Sequence, residues 1–244
     1  MEQFYLTLPS DSSAQYYPEN TTTSFKTKLS ERIELNGEYE VGLAQLIYPN
    51  SWFNFYNSDE SMWVSVKNKD NTFTKHIFPS GQFNDGSALA RHLNEKIKIP
   101  GIMFHWHQFT RRMKLGITEG NLLVMSPAFK AYVGFEEQEE VLYSGKYYSR
   151  QGFDLLEHLR LMYIYCDIAS YSCVGDVRAP LLRVCDTEGL YGQTVRLIFT
   201  HPHYIPIART SFDDIEILIR NEIGQAIPFE FGKAVVTLHL RHKL

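Results

Sequence analysis

The residues best suited to chemistry in this 244-residue chain are the histidines of His105-Trp106-His107. On a strand, alternate side chains point the same way, so two imidazoles could grip one metal ion. Such a site also needs an anionic ligand a few residues on. Four and five residues past His107 stand Arg111 and Arg112. A cation where a carboxylate is required argues against a metal, so we expect structural or surface histidines and no cofactor. His201-Pro202-His203 offers further nitrogens, but Pro202 favours a turn there. Asp213-Asp214 sits at the start of an alternating run, which puts the two carboxylates on opposite faces and reads as a solvated strand end. No G-x-S-x-G elbow is present, and Gly145-Lys146-Tyr147 lacks the hydroxyl residue and upstream glycine of a phosphate loop. No catalytic, cofactor-binding or metal-binding residue is assigned, and the chain does not read as an enzyme.

One stretch is suited to recognition instead. Trp52, Phe53, Phe55 and Tyr56 crowd into five residues, as a core plug or as a partner surface. They are the best candidates for a subunit interface. Tyr147 and Tyr148 pose the same choice, whereas Tyr163 and Tyr165 lie in an apolar run and are expected in the core.

The elements that must position these residues are mostly strands. Residues 211–220 carry Ile215, Ile217 and Ile219 on one face and Asp214, Glu216 and Arg220 on the other. Alternation resumes at Ile227, Phe229 and Phe231, and again at Val236, Leu238 and Leu240, so residues 211–244 read as three antiparallel strands with one wet face. Residues 3–8, 24–35 and 39–48 alternate too, and Asn36-Gly37 signals a hairpin between the last two. Shorter strands are expected at 62–66, 72–78, 102–106, 112–117, 121–125, 161–168, 180–184 and 194–200. The period changes once. Leu89, Leu93 and Ile97 are spaced for a helix, with Asp85 or Ser87 as cap and Pro100-Gly101 as stop. A single helical turn is expected near 129–133.

About a dozen strands and one amphipathic helix make an all-β chain, most simply a sandwich, and a jelly roll is one of the standard ways to arrange such strands. We expect one domain, 1–244, with an excursion at about 80–150. Composition is that of a folded protein, 44% hydrophobic and 21% charged, rich in aromatics with 15 Tyr and 16 Phe. A net charge of −4 without a basic block predicts no specific nucleic-acid binding. The acidic run 136–140 reads as a solvated loop. Cys166, Cys173 and Cys185 form an odd set without a close pair, so free thiols in a reducing compartment are expected. No basic-apolar leader opens the chain and no apolar run nears the roughly 18 residues a membrane span needs, so a product that is neither secreted nor membrane-bound is expected.

Several stretches resemble a known family. They are Phe4-Tyr5-Leu6-Thr7-Leu8-Pro9-Ser10, Tyr17-Pro18-Glu19-Asn20-Thr21, Phe25-Lys26-Thr27-Lys28-Leu29, Tyr39-Glu40-Val41-Gly42-Leu43 and Tyr48-Pro49-Asn50-Ser51-Trp52, followed by 212–220, Pro228-Phe229-Glu230-Phe231-Gly232 and 235–241. Their combination and order resemble the minor capsid (penton) protein of Polinton/Maverick elements, virus-like DNA transposons related to adintoviruses and, more distantly, to virophages. Both ends are covered; residues 80–200 are not. The resemblance implies a single jelly roll, assembled as a homopentamer at capsid vertices beside a double-jelly-roll major capsid protein. It implies a virion location and carries no catalytic residues. The second reading is a cupin-like metal-binding enzyme using His105 and His107, since metal-binding cupins are also jelly rolls. A third is a carbohydrate- or receptor-binding sandwich, supported only by the aromatics.

Overall fold

The computed structural model describes residues 3–57, 59–67, 71–152, 154–156 and 159–243. In chain order the elements are β1 (Gln3–Pro9), β2 (Ser24–Glu34), β3 (Tyr39–Pro49), β4 (Trp63–Lys67), β5 (Phe73–Ile77), α1 (Gly86–Ile97), β6 (Ile102–His107), β7 (Arg112–Ile117), β8 (Leu123–Met125), α2 (Pro127–Val133), β9 (Val141–Leu142) and β10 (Gly145–Tyr148). They continue as β11 (Leu161–Cys166), β12 (Ser172–Val174), β13 (Val177–Ala179), β14 (Leu181–Asp186), β15 (Thr194–Ile198), β16 (Ile205–Pro206), β17 (Ser211–Arg220) and β18 (Val235–His242). Packing divides the chain into two units, Met1–Trp52 with His158–Leu244, and Phe53–Glu157. The second unit therefore lies in the connection between β3 and β11, a wider stretch than the excursion expected at about 80–150.

The first unit is a jelly roll. One sheet runs β1-β18-β3-β15, with β16 also on β3; the other runs β14-β11-β17-β2. With β15 and β16 taken as halves of one strand and the side hairpin β12–β13 set aside, first pairs with last, second with seventh, third with sixth and fourth with fifth. That nesting is a long antiparallel hairpin rolled over on itself, the jelly-roll topology. All these pairings are antiparallel, so each sheet can bury one face only and period-2 sequences suit it. Leu8, Leu43, Val236, Leu238 and Leu240 fill the core from one sheet. Phe25, Met162, Ile164, Ile215, Ile217 and Ile219 fill it from the other.

Two local expectations change in this frame. Asn36-Gly37 is not a hairpin turn, because β2 pairs with β17 whereas β3 pairs with β18. The turn instead carries the chain from one sheet to the other. Gly37 sits at φ +101°, and a Cβ there would come 2.6 Å from the His242 ring. Nor is the C-terminal region one three-stranded sheet. β17 and β18 lie in opposite sheets, and the run between them crosses over, with the Phe229 N–H donating to the nearby Ile227 carbonyl and the Glu230 N–H to the distant carbonyl of Ser51. Ile227 alternates into the core and Phe229 packs against it, but neither belongs to a ladder. Periodicity reports which side chains are buried; it does not report which strand lies alongside.

The second unit has two antiparallel sheets, β5-β4-β8-β9 and β10-β7-β6. Helix α1 starts as expected, with the Asp85 carboxylate accepting from Ala88 N–H at 2.7 Å. It ends before Pro100, at Lys98, whose left-handed φ of 48° closes the last turn on the Asn94 carbonyl. Leu89, Leu93 and Ile97 enter a separate core with Phe104, Leu115 and Phe129. Around the expected turn at 129–133 stands α2, capped by the Ser126 hydroxyl and closed by Gly134. Among the described residues no helix is long and apolar enough to cross a membrane.

Candidate interaction surfaces

His105 and His107 do share one face of β6, as the spacing requires, and both are exposed. Directly opposite them on β7 stand Lys114 and Arg112. The His107 Nδ1 is already engaged by the Thr110 hydroxyl at 2.9 Å. Among the described residues no three His, Cys, Asp or Glu converge to hold a metal ion. The pair also lies in the second unit, outside the jelly-roll sheets where a cupin-like centre would sit. His201 and His203 are exposed on an irregular segment.

Asp213 and Asp214 do not take opposite faces. The β17–β2 ladder slips between Phe212 and Asp214, and this bulge turns both carboxylates outward. Asp213 meets Lys28 at 2.6 Å and Asp214 meets Lys26 at 3.2 Å. The hydrogen bond from Lys28 holds the Asp213 carboxyl below its usual range. Two carboxylates each neutralised by its own lysine are a solvated ion-pair row, not an acid–base pair. Cys166 and Cys185 are buried, and burial pushes each thiol up to about 12. Cys173 is exposed.

Within the aromatic stretch the two roles divide by residue. Trp52 is buried and stacks on Tyr48 at a ring-centroid distance of 6.2 Å, with Phe229 against it. Phe55 is buried in the core of the second unit, edge-on to Phe78, Phe83 and Tyr132. Neither offers surface to another molecule. Phe53 is half-buried, and Tyr56 is 53% exposed. Of the candidate interface residues Trp52, Phe53, Phe55 and Tyr56, the last keeps the most surface.

Sequence reasoning missed two other surfaces, both outward faces of the jelly-roll sheets. On β11, Met162, Ile164 and Cys166 point inward, so Tyr163 and Tyr165 point out and are only half-buried, contrary to the core placement expected for them. Tyr165 faces Leu218 of β17. Together with Tyr171 and Pro180 they border a groove of about 570 Å³, whose charged wall is the Asp167–Arg209 ion pair at 3.0 Å. Burial raises the Asp167 carboxyl despite the guanidinium beside it.

On the other sheet, β15 and β16 are separated by residues 199–204, which cross outside β3. A Cβ on Gly42 would lie 2.8 Å from the Pro202 Cβ and 3.0 Å from the His203 carbonyl, so the crossing requires glycine below it. His239 of β18 is 7% exposed although its strand face was read as wet. Tyr5 stacks on it at 4.4 Å, and the Tyr204 hydroxyl lies 2.7 Å from its Nδ1. The Arg241 guanidinium lies 3.5 Å over the Tyr204 ring and is held by the Glu40 carboxylate at 2.5 Å. Cross-strand neighbours of this kind were hidden because β1, β3, β18 and residues 199–204 meet only through the rolled topology.

No protein-family model matches the chain, and no curated protein matches it. Solved structures do. The crystal structure of the mavirus penton protein aligns with 99% of this chain and 99% of its own, at a TM-score of 0.52 and 12% identity. The Sputnik virophage structure, determined by cryo-electron microscopy at 3.5 Å, aligns with 100% of this chain and 98% of its own, at a TM-score of 0.46 and 10% identity. The fold is thus the all-β fold of the mavirus penton protein, and the first unit is a jelly-roll sandwich.

Proposed function

We propose that this chain is a minor capsid (penton) protein of a Polinton/Maverick-like, virophage-related element, a structural component of a virion. The observation that carries the reading is the fold match to the mavirus penton protein over 99% of both chains, which includes the inserted second unit. Two features support it. The sequence stretches that resemble the Polinton/Maverick penton lie at both ends of the chain, where β1, β2, β3, β17 and β18 build the jelly roll. Free thiols and a modest net charge of −4 are compatible with a protein whose work is association. In this reading five copies close a ring at the capsid vertex, next to a double-jelly-roll major capsid protein, and no substrate is turned over.

A five-membered ring needs a heterologous contact, in which one patch meets a different patch on the next copy. Tyr56 and the outward faces carrying Tyr165 and Leu218, or Tyr5 and Thr237, are the surfaces on offer. The test is negative-stain microscopy and mass measurement of the purified protein, alone and mixed with the major capsid protein of the same element. Five-fold rings or incorporation at vertices are expected. A protein that stays monomeric at high concentration and ignores the major capsid protein overturns the reading. The cupin-like alternative gains no specific observation, since its two histidines face a lysine and an arginine.

A further inference from the structure

We propose that residues 199–204 form an acid-released strap, latched to the outer face of the β1-β18-β3-β15 sheet by Tyr204 on His239. The inference goes beyond the capsid reading and stands on the geometry of the first unit alone.

The strap interrupts a strand that would otherwise be continuous. Ile198 pairs with Gln45 and Ile205 with Val41, so six strap residues span what three residues of β3 cover. The excess chain is thrown outward, over Gly42. A loop of this kind lifts unless something holds it down, because loose chain gains conformational entropy. The strap's first residue stays tied to β3, with the Phe199 N–H donating to the Ala44 carbonyl at 2.9 Å, and the Arg183 guanidinium reaches the His201 carbonyl at 3.4 Å. At its far end, beyond packing on Gly42, the strap is held by the Tyr204 hydroxyl against Nδ1 of His239. Arg241, fixed by Glu40, braces the Tyr204 ring from above.

The latch has a defined protonation state. Nε2 of His239 is buried and has no hydrogen-bond partner among the described residues. A neutral imidazole tolerates this with one idle nitrogen. An imidazolium would bury a charged N–H with no acceptor. The groups facing the ring add no anion. Tyr5 of β1 stacks on it, Tyr204 of the strap bonds it, and Arg241 of its own strand is a cation nearby; Glu40 of β3 is already engaged by Arg241. Stacking on Tyr5 favours the cation, but burial first and Arg241 second hold the imidazole below its ordinary range.

The sign follows. With the folded pKa depressed, the latch is complete above the unfolded value of about 6.5. It is lost as pH falls through the folded value. The ring then gains its proton by becoming exposed, which means parting from Tyr204 and releasing the strap. Acid thereby uncovers Gly42 and the centre of the outer sheet face.

Hydrogen exchange resolved to residues 199–206, at about pH 8 and about pH 5 and corrected for the intrinsic rate, tests this. The expected result is a several-fold loss of protection at acid pH, confined to the strap and to β3 near Gly42. His239→Asn keeps a polar atom near the Nδ1 position and cannot titrate, so its strap should respond equally at both pH values. Unchanged protection in the native protein, or an undiminished acid response in His239→Asn, overturns the proposal. If that variant fails to fold, an NMR titration of the native protein decides. Strap resonances sharing the His239 midpoint support the latch, and separate midpoints refute it.

Discussion

Leu238 lies opposite Leu43 in the ladder between β18 and β3, and neither has any exposed surface. On the other side of β18 the same residue faces Leu6 of β1. Three strands thus pin one side chain into the jelly-roll core. Leu238→Asp would bury a carboxylate with no partner, a cost of several kcal/mol and a large share of a domain's stability. Thr237, its neighbour, turns to the outer face beside Thr7 and Gln45. Thr237→Asp should change stability by no more than about 0.5 kcal/mol. Urea melts of the two variants give the comparison, and equal losses would mean that both faces of β18 are core. Should Thr237→Asp melt normally yet fail to assemble, the outer face is a contact between copies.

Within cleanly alternating runs the sequence made burial legible, and what it hid was partnership. Ile215, Ile217 and Ile219 turn inward as alternation requires. The same alternation could not reveal that β17 and β18 sit in opposite sheets, because that depends on chain segments far apart in sequence, such as the β2–β17 and β1–β18 pairs. Asn36-Gly37 supplies the positive φ a hairpin would use, and an inter-sheet turn uses it equally well. The bulge at Asp213 left no local signal. For the candidate interface, aromatic crowding at 52–56 was visible, but whether each ring faced in or out was not. Tyr5 and His239, 234 positions apart by number, meet only after rolling.

At Gly42 the outer face leaves no room for a side chain. Gly42→Ala would set its methyl against Pro202 and the His203 carbonyl, at 2.8 and 3.0 Å, and the backbone oxygen cannot move aside as a flexible side chain would. We expect a loss of about 1–3 kcal/mol and selective loss of exchange protection over 199–204. Gly116→Ala is the control, since a Cβ there meets only the Met103 carbonyl at 4.0 Å. Differential scanning calorimetry of the two variants should separate them, with Gly116→Ala close to the native melting temperature.

Tyr48 sets an alkaline limit. Its phenol is buried, accepts from the Glu188 N–H at 2.7 Å and is pushed up to about 12, mainly by burial. The unfolded chain releases this proton near 10. The folded state therefore holds the proton more tightly, and stability present below about pH 10 is lost as pH rises through the folded value. Two pKa units correspond to at most about 3 kcal/mol. Tyr48→Phe should lose about 1 kcal/mol at neutral pH through the missing hydrogen bond, and its stability should fall less steeply above pH 10. Guanidinium melts between about pH 8 and 11 measure both effects. A variant with the native alkaline slope would show that other groups set the limit.

Trp52, Phe55 and Tyr56 separate folding from assembly. Trp52 and Phe55 are each 1% exposed and serve different units, so truncation leaves a cavity in one core or the other. Trp52→Ala and Phe55→Ala should each cost about 3–5 kcal/mol, with any loss of assembly following from loss of fold. Tyr56 is half-exposed and packs in neither core. Tyr56→Ala should leave the melting temperature nearly unchanged. If this tyrosine contributes to the contact between copies, the same variant should weaken ring formation by tenfold or more, the order expected when an interface aromatic worth about 1.4 kcal/mol or more is removed. Sedimentation velocity over a concentration series, beside the melts, reads both quantities. Native association by Tyr56→Ala would move the contact to the outward sheet faces, with Tyr165→Ala and Tyr5→Ala the next variants to weigh.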